Sequence, residues 1–225
     1  MGGYKFEQYC RPRGDYRIRQ IIDFLDLMKD AFRCSVLYDD HSRPVDLTEQ
    51  GLGKIFKKIA ERKSPGPGII EHFFTIDPRK RHPNTVRIEI ITGHHPEKVF
   101  MDTYNISMDD KRKVPNLDYL EKSIEIFKPF EAYLSENENE FRLDAYGRQQ
   151  YVPKFDKPTM IRGFHYLDEN MARSIGGIKY CLKAPAWNVE RFCEGVLIEL
   201  TPRLFDSNDP EHLEIQKEVM DYFHL

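Results

Sequence analysis

Apolar residues recur along this chain in two rhythms, and the alternation between them sets out its elements. Tyr4 to Tyr9 alternates closely enough for a first strand, which Pro12-Arg13-Gly14 breaks. Asp15 then stands where it can cap a helix running to about Phe32, because Ile18, Ile21, Ile22, Leu25, Met28 and Phe32 recur at helical spacing. Ser35 to Tyr38 suits a short extended piece. Thr48 is placed to cap a second helix over 49–62, with Leu52, Ile55, Phe56 and Ile59 on one side. The run Ser64-Pro-Gly-Pro-Gly68 is a rigid loop that no regular element can cross.

The middle of the chain favours strands at 73–76, 85–92 and 99–108. Val86, Ile88 and Ile90 alternate with Arg87 and Glu89, giving one buried and one wetter face. The turn residues at 93–96 predict a hairpin, making the last two of these strands antiparallel neighbours. Asn116 can cap a third helix carrying Leu117, Leu120, Ile124 and Phe127, which Lys128-Pro129 should end. Another strand is expected over 130–134. Core-like sequence returns at Met160 to Leu167 and at Ile175 to Leu182. The final block reads as a buried strand (Val196, Leu197, Ile198, Leu200), a loop opened by Thr201-Pro202, and a helix. Asp209 caps that helix, Pro210 takes its first position, and Leu213, Val219 or Met220, and Phe223 form its inner stripe.

These elements sum to an α+β fold, with a mostly antiparallel sheet of about six strands and three to four helices packed on it. No linker separates two cores, so the expectation is a single domain over 1–225. Residues 135–158 change character: they are polar, with isolated aromatics at Phe141, Tyr146, Tyr151 and Phe155.

Charge narrows the function classes. Thirty-four basic residues against 37 acidic ones leave a formal net charge of −3, which is no general nucleic-acid footprint. No apolar run approaches the roughly 18 residues needed for a membrane span, and the start of the chain has no secretory core, so a cytoplasmic address is expected. Cys10, Cys34, Cys181 and Cys193 form no Cys-x-x-Cys pair, and the last three sit in apolar sequence. Free buried thiols in a reducing compartment is the plain reading.

Candidate chemistry is thin. His94-His95 could meet Glu97 or Asp102 at a metal, but adjacent strand residues point to opposite faces, and an exposed turn is the simpler reading. Glu61-Arg62-Lys63 with Asp46 upstream fits a bare acidic-x-Lys nuclease pattern, yet it falls at a helix end rather than along a strand. Glu89 and Asp102 could face each other across the hairpin as an acid pair, although solvated positions suit both. Cys181 or Cys193 with His165 has no supporting spacing as a nucleophile pair. Gly176-Gly177 is too short for a phosphate cradle and suits a tight turn. His212, in the first turn of the last helix, fits a capping or surface role. The inventory points to no catalytic residue, no cofactor and no metal, with an uncharacterised metal-dependent hydrolase or nuclease using His94, His95, Glu89 or Asp102 as the rival reading.

A binding surface remains. Glu136, Glu138 and Glu140 precede the polar-aromatic stretch, where Tyr146, Arg148 and Tyr151 are suited to anchor a contact. An acidic rim of this kind speeds encounter with a basic partner, although a charge run is most simply a solvated loop.

Five segments, "PNTVRIEIITG", "FMDTYNISM", "FKPFEAYLSEN", "MIRGFHYL" and "CEGVLIELTPRLFDSNDPEHLEIQKEV", are similar in this order to the immunity protein 52 family of bacterial polymorphic toxin systems. The likeness covers most of residues 15–223, with Phe164 where the family suggests a tryptophan. The resemblance implies a cytoplasmic protein that neutralises a cognate toxin by non-covalent binding. That toxin commonly carries a restriction-endonuclease-like domain delivered by a type VI secretion system. No active residue carries over from it, and a homodimer is compatible with it.

Overall fold

The computed structural model describes residues 3–13, 17–61, 69–76, 86–93, 101–136 and 156–225. Nine strands and six α-helices lie among them, against the six strands and three to four helices that the sequence predicts. The fold is α+β, and the strand pairs given below are antiparallel. By their contacts the residues form two compact units, Tyr9–Phe127 and Gly2–Gln8 with Lys128–Leu225.

In the first unit, strands β2 (Tyr38–Asp39), β3 (Ile69–Thr75), β4 (Val86–Gly93) and β5 (Asp102–Met108) lie side by side in that order. The β4–β5 hairpin expected from the alternation is present, with Val86 opposite Met108, Ile88 opposite Ile106 and Ile90 opposite Tyr104. All six side chains are fully buried. Helix α1 (Ile18–Ala31) buries Ile21, Phe24, Leu25 and Met28, and α3 (Leu117–Phe127) buries Leu120, Ser123, Ile124 and Phe127. The two helices pack together, and Phe127 stacks on Tyr104 at 3.7 Å while Phe24 meets its edge. Helix α2 (Glu49–Ala60) starts as predicted: the Thr48 hydroxyl accepts from Gly51 N–H at 3.0 Å. Arg17 immediately precedes α1 with φ of 48° and no side-chain cap, while Asp15 lies outside the described residues. Lys128, at φ 47°, follows the end of α3, where the next residue, a proline, disfavours the right-handed conformation that would carry the helix on.

The second unit takes the start of the chain as its first strand. β1 (Tyr4–Cys10) has Tyr4–Gln8 here and Tyr9–Cys10 in the other unit. The strand order continues with β6 (Glu131–Glu136), β7 (Phe164–Leu167), β9 (Gly195–Glu199) and β8 (Asn188–Phe192). Helices α4 (Glu169–Ser174) and α5 (Ile178–Cys181) pack near β9, and Gly176 and Gly177, at φ 115° and 87°, make the tight turn between them. Asp168 caps α4 through Met171 N–H at 2.8 Å. The terminal helix α6 (Pro210–Tyr222) begins as the sequence indicates, with Asp209 accepting from Glu211 N–H at 3.0 Å and Pro210 in the first turn. Val219, Met220 and Phe223 are all buried.

Candidate functional site

The loop between β9 and α6 is built inward. Phe205 fills the space a Cβ on Gly163 would need, which explains the glycine at the mouth of β7. The Tyr4 hydroxyl donates to Phe205 O at 2.9 Å; burial, with Glu136 and Asp206 nearby, raises its pKa. His212 is buried, not at the surface. Its Nδ1 accepts from Asp206 N–H at 2.9 Å, and its ring lies 5.5 Å from that of Phe205. Ser207 donates both its N–H and its hydroxyl to Glu136 Oε2, at 3.2 and 2.6 Å. The carboxylate of Glu136 therefore fastens this loop to the end of β6. The other sequence-named contact residues, Glu138, Glu140, Tyr146, Arg148 and Tyr151, lie outside the described residues.

Two polar groups sit deep in the second unit. His165 on β7 and Glu131 on β6 are both fully buried, with Nε2 to Oε1 at 2.9 Å. Arg162 N–H donates to His165 Nδ1 at 2.9 Å, so in a neutral ring the proton is on Nε2 and is given to Glu131. Burial pushes His165 down to about 3. Burial raises the Glu131 carboxyl well above its usual range, opposed by Arg162 and reinforced by Glu7 and Asp168. Both shifts favour an uncharged pair. The guanidinium of Arg162 lies over Tyr133 at 5.4 Å. With no exposed surface, this pair holds β6 to β7 and is closed to a substrate.

The acid-pair reading of Glu89 and Asp102 is overturned by register. Glu89 stands opposite Asn105, whose Nδ2 donates to it at 2.8 Å, and Asp102 lies beyond the other end of the paired residues. Asp102 is fully buried and accepts from Arg17 Nε at 3.3 Å and Arg13 N–H at 3.2 Å. The same Arg17 side chain donates to Phe127 O at 3.2 Å and Arg11 O at 2.9 Å, satisfying carbonyls at the end of α3 and beside β1. His94, His95, Glu97 and Lys63 lie outside the described residues, while Glu61 is exposed just beyond α2. Among the described residues, no group of three or more His, Cys, Asp or Glu could hold a metal.

The thiols divide unevenly. Cys10 and Cys181 are buried, and burial pushes them up to about 12 and about 11; Cys34 is half-buried, and Cys193 is exposed at φ 48° in the β8–β9 turn. The apolar setting expected for Cys193 is therefore not observed. His165 makes its hydrogen bonds to Arg162 and Glu131.

Sequence reasoning missed the surface that stands out. Trp187, the chain's one tryptophan, is 64% exposed, and Leu182 is 40% exposed. Trp187 directly precedes β8, where Ala184-Pro185-Ala186 interrupts any period that would have marked it. Its N–H donates to Leu200 O at 3.3 Å, so its backbone is held while its ring faces water. A lone tryptophan outside every apolar stripe was the available signal.

No protein-family model matches this sequence, and no curated protein matches it. A solved structure does share the fold: Pseudomonas aeruginosa T6SS protein PA0821, with a TM-score of 0.58 and 10% identity over 97% of this chain and 73% of that one. Likeness at that identity is one of fold. No helix among the described residues is long and apolar enough to cross a membrane.

Proposed function

We propose that this protein is a cytoplasmic bacterial immunity protein. It binds a cognate toxin, a restriction-endonuclease-like nuclease delivered by a type VI secretion system, and blocks it by non-covalent occlusion. The observation carrying this reading is the fold shared along 97% of the chain with a T6SS protein, found independently of the ordered motifs that resemble an immunity family. In this reading, Glu138 and Glu140 supply the acidic rim of the contact, and Tyr146, Arg148 and Tyr151 its anchors. Glu136 secures the start of that segment through Ser207. The protein acts stoichiometrically and needs no cofactor or metal.

Co-expression with the toxin encoded beside it tests the reading. Survival together with a stable one-to-one complex supports it. A toxin that kills in the presence of excess protein, with no complex on gel filtration, overturns it. Protection of a growing cell calls for slow dissociation, so the complex should persist through a long wash.

A further inference from the structure

Strand β8 stands at the end of the strand order in its unit: among the described residues, β9 is its one neighbour. The β8–β9 connection is the two-residue loop Cys193-Glu194, with Phe192 opposite Gly195; in a two-residue hairpin the residues flanking the loop form a hydrogen-bonded pair. Bonded pairs then alternate along the ladder: Phe192 with Gly195, Glu190 with Leu197, Asn188 with Glu199. The far side of β9 agrees, since Leu200 N–H donates to Gly163 O and leaves Glu199 turned toward β8. Val189 and Arg191 consequently direct their N–H and C=O groups to the open edge. An unpaired edge of this kind is a template for another strand.

We propose that this edge is where a second copy of the chain pairs, β8 to β8 in antiparallel register about a two-fold axis at Val189. That register sets Val189 opposite its own mate, where the two outward backbones exchange N–H···O=C bonds. It sets Asn188 opposite Glu190 of the second copy, an amide against a carboxylate. Trp187, whose own N–H turns back to Leu200 O, stands just before the paired residues at the end that Arg191 of the second copy reaches, an indole near a guanidinium. The other symmetric registers are poorer: an axis at Glu190 faces two carboxylates directly, one at Arg191 faces two guanidiniums, and one at Asn188 leaves that single residue of β8 paired within the strand. The 64% exposure of Trp187 is covered in this arrangement, and the charges that would guard an edge against strangers find partners.

Sedimentation equilibrium over concentrations from roughly 10 µM to roughly 1 mM suits a contact of this small size. The wild type is expected to move from one chain toward two. Val189→Pro removes an N–H that points away from β9, and proline is tolerated on such an edge, so it should melt like the wild type and stay monomeric. In a Cys193→Ser background, Val189→Cys should oxidise to a covalent dimer. Glu190→Cys, off the axis and on the other face of the strand, should not. A wild type that remains monomeric throughout overturns the proposal, as does a dimer that survives Val189→Pro. Should that variant fail to fold, the cysteine pair decides: cross-linking at 190 and not at 189 sinks the register.

Discussion

Replacing His165 with Gln should change how the protein responds to acid. In the native state burial holds the imidazole near pKa 3, whereas in the unfolded chain it titrates near its ordinary 6.5. The native pKa lies below the unfolded one, so the unfolded state takes up the proton first and stability falls as pH drops below 6.5. Between about pH 7.5 and about pH 5, the unfolded imidazole gains most of a proton and the buried one almost none, which integrates to about 2 kcal/mol. Glutamine carries no such proton, and its amide can accept from Arg162 N–H while donating to Glu131, the two bonds that His165 makes. Urea unfolding of both proteins at each pH isolates the effect, because every other group titrates alike in the pair. The wild type should lose about 2 kcal/mol more than His165→Gln on acidification, or about 4 to 8 °C of melting temperature in a chain of this length. Glu131 works in the opposite sense. Its raised native pKa removes stability as pH climbs above its unfolded value, in both proteins equally. Parallel stability curves for the two proteins would refute the account of His165 as a buried neutral imidazole.

Asp102→Ala strands the buried Arg17 guanidinium and should cost about 3 to 5 kcal/mol in chemical denaturation, whereas a loss under about 1 kcal/mol would mean the pair is solvated. Gly163→Ala should lower the melting temperature by several degrees through its collision with Phe205, and wild-type melting would show that the loop yields freely. Maleimide labelling of the native protein, read by peptide mass, should modify Cys193 fastest and leave Cys10 and Cys181 untouched until unfolding; early labelling of Cys181 would contradict its burial. Asp209→Ala should cost about 1 kcal/mol by loss of the α6 cap.

Where local rules act alone, the sequence was readable. Thr48 and the stripe Leu52, Phe56 and Ile59 specify α2 without outside help, and Asp209-Pro210 does the same for α6. The β4–β5 hairpin was legible because one face is dry and the other is wet. Strand β8 was not, since an edge strand with two charges in five residues has no buried face to impress an alternation on it. Asp102 looked like a free carboxylate because its partner, Arg17, lies 85 residues away. Glu131 and His165 sat inside apolar runs, where their pairing across 34 residues leaves no local mark. Of the six contact residues named from sequence, Glu136 alone falls in described structure, and there its carboxylate ties down a loop.

The split course of β1 has a consequence for synthesis. Tyr4–Gln8 emerge from the ribosome well before the rest of their unit, whose remaining residues begin at Lys128. At about 5 to 20 residues per second, the intervening stretch takes roughly 6 to 25 s to appear. For that time Tyr4 and Phe6, both destined for burial, are without the strands and loop that will cover them. The nascent chain must shield an orphan hydrophobic segment while the Tyr9–Phe127 unit matures, and chaperone demand should be greatest in that interval.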